Sequence, residues 1–166
     1  MKFLLFMGAA SAGFSFGSCP TGYSTEPNFD ASQYVGTWYE YQRDRDTAFE
    51  QTSECVTATY TAQADGDITV KNRGQYWGFL WQYISVEGEA RCKTDGKCYV
   101  SFAENANLDQ DPNYLVIDTD YTQYSIVYSC RESLGGLTKF EDLWVLSRTT
   151  EMSDEKYDSI KQIISE

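Results

Sequence analysis

The sequence contains no histidine. That removes the commonest general base and the commonest neutral metal ligand. Neither a Ser-His-Asp triad nor a His-based zinc site can be built from this chain, and no resident metal or cofactor is expected. No Asn-x-Ser/Thr sequon occurs, so no N-linked glycan is expected. Cationic side chains are scarce: 13 Lys and Arg stand against 25 Asp and Glu, a net charge of −12. Such a surface repels phosphate backbones, which argues against nucleic acid as a partner and disfavours anionic membranes. Beyond the N-terminus, no apolar stretch approaches the ~20 residues that a membrane span needs, so no transmembrane segment is expected. Internal repeats and low-complexity linkers are missing too, and 166 residues fit one domain.

The first stretch has the layout of a secretory leader. Lys2 is followed by the apolar run Phe3–Phe16. Ser15 and Gly17 put small residues at the −3 and −1 positions of a cut before Ser18. Residues 1–17 are therefore read as a signal peptide and 18–166 as the domain, which is expected outside the cell. A chain of that size buries roughly two-thirds of its unfolded surface, enough for a stable core. In an oxidising compartment the five cysteines, Cys19, Cys55, Cys92, Cys98 and Cys130, favour disulfides. One must be left over. Cys92 and Cys98 flank a turn with Asp95-Gly96. They suit a bridge across a hairpin, or half of a metal site that lacks two further ligands.

Aromatics make up 16% of the chain, with 13 Tyr, and such side chains suit pleated strands and pocket walls. Eight runs rich in Val, Ile, Thr, Tyr, Phe or Trp read as strands: Thr37–Gln42, Glu54–Gln63, Ile68–Arg73, Leu80–Ala90, Cys98–Ala103, Tyr114–Ile117, Gln123–Cys130 and Leu143–Thr149. Turn residues separate them, as at Ala64-Asp65-Gly66-Asp67. This pattern predicts a meander closed into a barrel or a sandwich. One helical turn is expected at Asp30–Tyr34. A terminal helix is expected after Ser153 as N-cap, with Asp154 and Glu155 favourable in its first turn. Tyr157, Ile160, Ile163 and Ile164 give that helix one apolar face, which should lie against the outside of the sheet.

Gly36-Thr37-Trp38 on the first run, Thr119-Asp120-Tyr121 between the sixth and seventh, and Arg148 at the end of the eighth resemble the three signature regions of the lipocalin family. Their order and spacing match across the domain. The resemblance implies an all-β fold: an eight-stranded antiparallel up-and-down β-barrel with the C-terminal α-helix packed outside. It gives Gly36, Trp38, Thr119, Asp120, Tyr121 and Arg148 structural roles, with Arg148 lying across the Trp38 ring and the Thr-Asp-Tyr turn shutting the same end. Cys19-Pro20, Asn28-Phe29-Asp30, Trp38-Tyr39-Glu40, Val86–Ala90 and Val127–Cys130 are similar to the apolipoprotein D branch. By that similarity Cys19 pairs with Cys130. The branch usually pairs the Cys55 position with a cysteine after the terminal helix. This sequence has none, which leaves Cys55 as the free thiol.

Alternation and the family likeness together nominate the inner wall: Ala58, Tyr60, Val70, Asn72, Val86, Gly88, Val100, Phe102, Tyr114, Val116, Ser125, Val127, Trp144 and Leu146. Asn72, Tyr60 and Tyr114 would supply sparse hydrogen bonds, and Trp144 a stacking surface. Parity is least defined in Tyr114–Ile117, which is apolar on both faces. Open-end loops are expected at Gln42–Ser53, with an apolar Ala48-Phe49 tip that could act as a lid, and at Gln75–Phe79, Asn105–Asn113 and Glu132–Lys139.

The function implied is binding and transport of a small hydrophobic ligand of the fatty acid, sterol, retinoid or tetrapyrrole class, with no catalysis. Two other readings compete. One lipocalin branch uses a thiol near the position of Cys55 as an isomerase catalyst, with only Arg43, Arg45 or Lys71 here to activate it. Alternatively, Glu40, if inward, could meet a cationic ligand in an amine- or protein-sequestering barrel, unless a neighbouring Arg holds it. Phe16-Gly17-Ser18-Cys19 also faintly resembles a bacterial lipoprotein cleavage site, but a lipidated Cys19 could not bond Cys130.

Overall fold

Side chains that alternate between apolar and polar, broken by Gly, Asp and Asn turns, build strands that pair with their sequence neighbours. A computed structural model describes residues 13–43, 53–76 and 80–165. Eight strands follow one another: β2 Gly36–Arg43, β3 Ser53–Ala62, β4 Ile68–Tyr76, β5 Gln82–Cys92, β6 Lys97–Ser101, β7 Tyr114–Thr119, β8 Tyr124–Ser133 and β9 Thr138–Ser147. Each pairs antiparallel with the next, and β9 pairs with both β8 and β2, so the sheet closes into a barrel. The expected barrel and outer helix are both present.

A further strand, β1 Gly13–Phe16, lies within the stretch read as a leader. It pairs with Thr138–Glu141 of β9, the part of that edge left uncovered by β2, which reaches only Trp144–Ser147. The ring closes without β1. The rest of the stretch, residues 1–12, is outside the described residues. So are residues 44–52, which include Ala48 and Phe49 of the expected lid, and residues 77–79.

Register slips interrupt β2 after Glu40, β3 after Glu54 and β7 after Val116. Bulges of this kind bend a strand and help a small sheet to curl shut. The all-apolar run of β7 keeps ordinary alternation up to its slip. Tyr114 and Val116 face the interior, while Ile117 packs outside.

Two apolar clusters result. The inner one gathers Phe29, Tyr34, Trp38, Tyr60, Ile68, Val70, Ala90, Cys98, Val116, Val127 and Leu146. The outer one is made by helix α2, Asp154–Ser165, whose Ile160 is wholly buried on Ile126 and Val145. Ser153 Oγ caps the helix by accepting from the Lys156 amide at 3.3 Å. Ile164, expected on the apolar face, is 40% exposed; the contact stripe runs through Ile160 and Ile163 instead.

The last two strands are longer than their sequence suggests. Glu132–Lys139 was expected to be an open loop. Instead β8 runs to Ser133, the chain reverses in a 3-10 turn at Leu134–Gly136, and β9 begins at Thr138. Gly135 and Gly136 both take positive φ, which permits so tight a reversal. Two disulfides staple the barrel. Cys19–Cys130 ties the N-terminal arm to β8, and Cys92–Cys98 joins directly paired residues of the β5–β6 hairpin. Cys55 is free and exposed.

Candidate functional site

The closed end of the barrel is held by one guanidinium. Arg148 follows β9, and its Cζ lies 3.7 Å from the centre of the Trp38 ring. Its nitrogens donate to the carbonyls of Tyr121 (2.9 Å), Thr37 (3.1 Å), Gln33 (3.1 Å), Tyr34 (3.3 Å) and Val35 (3.0 Å). The short helix α1, Ala31–Tyr34, capped by Asp30, thus has its exposed carbonyls satisfied. Gly36 permits this approach. It has φ of +99°, and a side-chain carbon there would stand 3.2 Å from an Arg148 nitrogen.

Across this end lies the Thr119-Asp120-Tyr121 turn. Asp120 Oδ1 accepts from the amides of Thr122, Gln123 and Tyr124, and the Tyr121 hydroxyl accepts from the Asp30 amide. The turn and Arg148 meet at this end through the Tyr121 carbonyl.

Above the floor the barrel opens into a cavity of about 460 Å3. Ten of the nominated wall positions surround it: Ala58, Tyr60, Val70, Asn72, Val100, Phe102, Tyr114, Val127, Trp144 and Leu146. Three do not. Val116 and Ser125 lie deeper, fully buried where Tyr34 and Phe29 fill the taper. Val86 pairs with Asn72, yet it is 50% exposed. The β5–β6 ladder begins only at Glu89, so this part of β5 has no neighbour on that side. Gly88, on the same face, is overlaid by the departing end of β6. A Cβ there would sit 2.3 Å from the Ser101 carbonyl.

Eight lining residues are additional to the nominated wall: Glu40, Val56, Tyr99, Ser101, Asn113, Ser129, Arg131 and Asp142. Simple extension of the period-two pattern reaches four of them. Val56 precedes Ala58 by two, Ser129 and Arg131 continue Val127, and Asp142 precedes Trp144. Their polarity or their position at strand ends hides them. Tyr99 and Ser101 join Val100 and Phe102, so consecutive residues of β6 and its end line the cavity together.

A chain of hydroxyls lies at the base of the cavity. Ser125 Oγ meets the Tyr34 hydroxyl at 2.9 Å, Tyr34 meets Tyr114 at 3.2 Å, and Tyr114 meets Tyr60 at 2.8 Å. Burial pushes the Tyr34 phenol up to about 12 and raises those of Tyr60 and Tyr114 as well. All three stay protonated at neutral pH. Four hydroxyls supply one proton more than three links consume. If Ser125 donates to Tyr34 and the order continues outward, the spare O–H belongs to Tyr60, which lines the cavity. The reverse order would strand it on the fully buried Ser125. Nearby, Asn72 Oδ1 is buried and has no hydrogen-bond partner. In the outward order the lower cavity presents one donor, beside one orphan acceptor.

Charge is confined to one side. Glu40, Arg131 and Asp142 come from β2, β8 and β9, which adjoin one another, while β3, β4, β6 and β7 add no charged side chain to the lining. Glu40 accepts from Arg43, which also donates 2.9 Å to the Ser53 carbonyl. This pair ties the end of β2 to the start of β3. Cys55 is outside the lining, although its neighbour Val56 is part of it. No group of three or more potential metal ligands occurs among the described residues.

Comparison with known proteins agrees with this geometry. The family model of the lipocalin-like domain matches residues 29–166. The outer membrane lipoprotein Blc of Citrobacter freundii is 33% identical, over 93% of this chain and 85% of its own. Apolipoprotein D of Macaca fascicularis is 30% identical, over 97% of this chain and 82% of its own. Insecticyanin from the tobacco hornworm Manduca sexta superposes with a TM-score of 0.75 at 21% identity, covering 92% of this chain and 80% of its own.

Proposed function

The chain belongs to the lipocalin family, and on that premise we propose that it binds and carries a small hydrophobic molecule in its barrel, outside the cell. The observation that carries this reading is a cavity of about 460 Å3 with an uncharged wall formed by four strands and a stacking face at Trp144. Each 100 Å2 of apolar ligand surface covered there is worth about 2.5 kcal/mol. A single neutral hydrogen bond adds about 1 kcal/mol. Affinity thus comes from the wall, and the polar atoms near the base set orientation. The spare proton of Tyr60 and the orphan oxygen of Asn72 together suit a group that both donates and accepts, such as a hydroxyl. Candidate ligands are fatty acids, sterols, retinoids and tetrapyrroles.

Neither competing reading gains support. Cys55 is exposed and outside the cavity lining, so nothing among the described residues sets its thiol against an enclosed substrate. Arg43 engages the Glu40 carboxylate, so it is not offered to an amine. Secretion is supported by the two disulfides, which persist in oxidising compartments. One relative is named an outer membrane lipoprotein. A Cys19 sulfur bonded to Cys130 has no thiol to receive lipid.

Fluorescence titration tests the carrier function. Trp144 emission should be quenched or shifted by at least one ligand class, and Trp144→Phe should remove that response. A folded protein that gives no change with any class would refute the proposal.

A further inference from the structure

We infer that the cavity selects amphiphiles bearing an acid group, and that Arg131 at the mouth is the residue that selects them. This rests on the carrier function above and names the chemistry of its ligand.

Three charged residues line the cavity, and two are already engaged. Glu40 is held by Arg43. Asp142 is not without a partner. Arg131 differs: among the described residues it forms no ion pair and no hydrogen bond through its side chain. It is exposed to solvent while also lining the cavity. It continues the inner face of β8 beyond Val127 and Ser129, beside Cys130, whose disulfide to Cys19 fixes the strand there. A guanidinium offers a planar fork of donors suited to a carboxylate.

Depth decides which end of a ligand goes where. A carboxylate forced to the base would lose its hydration among Tyr60, Tyr114 and Val70, at a cost of several kcal/mol. At the mouth it keeps water and gains a cation. The apolar body then follows the uncharged wall downward. The chain carries a net charge of −12, yet at physiological salt charges more than about 8 Å away are largely screened, so the local guanidinium dominates.

The test uses the disulfide-bonded protein, a dansyl-labelled fatty acid and the methyl ester of the same probe, with dansyl emission as the readout. The acid should bind about tenfold tighter than the ester. Arg131→Gln should abolish that preference by bringing acid binding down to the level of the ester, and Arg131→Lys should restore part of it. Equal binding of acid and ester by the native protein, or a preference that survives in Arg131→Gln, overturns the inference and leaves the carrier function standing. Failure of both probes to bind a folded protein overturns the inference and counts against the carrier function as well. Arg131 is exposed, so its variants should fold, and a thermal melt checks that they do.

Discussion

The Arg148 guanidinium lies 3.7 Å over the Trp38 indole while serving five backbone carbonyls of α1, β2 and the Thr119–Tyr121 turn. One side chain therefore satisfies a helix end, covers an aromatic face and joins the first and last barrel strands. Arg148→Ala should cost about 3 kcal/mol in urea unfolding, since several carbonyls lose their donors together. Arg148→Lys should recover less than half, because an ammonium cannot match the planar fork. An Arg148→Lys variant as stable as the native protein would show that charge alone suffices.

The buried phenols set the alkaline limit. Tyr34, Tyr60 and Tyr114 have ionisations raised by burial, Tyr34 to about 12, above an unfolded value near 10. Stability from these groups is complete below pH 10 and is lost as pH rises toward 12. Absorbance at the phenolate band should show a set of tyrosines that titrate only as the barrel unfolds. Smooth titration of all tyrosines near pH 10 with the fold intact would contradict the hydroxyl chain.

The two disulfides should differ in worth. Cys19–Cys130 spans 111 residues and Cys92–Cys98 only 6. In the chain-entropy model, losing the first costs about 4–5 kcal/mol and losing the second about 2. Paired Cys→Ser variants compared by denaturant midpoint would measure the gap, and the reverse order would count against the model.

Acid should loosen the base of the β5 strand. Arg91 grips Asp67 through two nitrogens at 2.7 Å, and this holds the Asp67 carboxyl below its ordinary value. The resulting stability is present above pH 4 and fades as pH falls through the carboxyl's lowered range. Asp67→Asn should therefore be less stable than the native protein at pH 7, and the gap should narrow toward pH 3. A gap independent of pH would assign the effect to packing.

Much of this architecture was legible because the closed end depends on particular residue types. Only a glycine fits beside Arg148 at position 36, and only an Asp or a similar acceptor serves the turn amides at 120. Strands β3 to β5 were legible because they alternate. The start of β9 was not, since Thr138, Lys139, Glu141 and Asp142 are polar. Their strand state comes from pairing with β8, a long-range effect that local propensity does not carry. The same reason hid Arg131, Ser129 and Asp142. Val86 failed for the opposite cause: its face is inward by register, but its neighbour strand stops short.

The one-sided distribution of charge inside the barrel has an optical consequence. A pigment seated between an uncharged wall and a charged one experiences a lopsided electric field in a handed enclosure. Even a flat, achiral chromophore held there would absorb left and right circularly polarised light unequally, and its colour would differ from that in solvent. The barrel would thus report its own occupancy to a spectrometer.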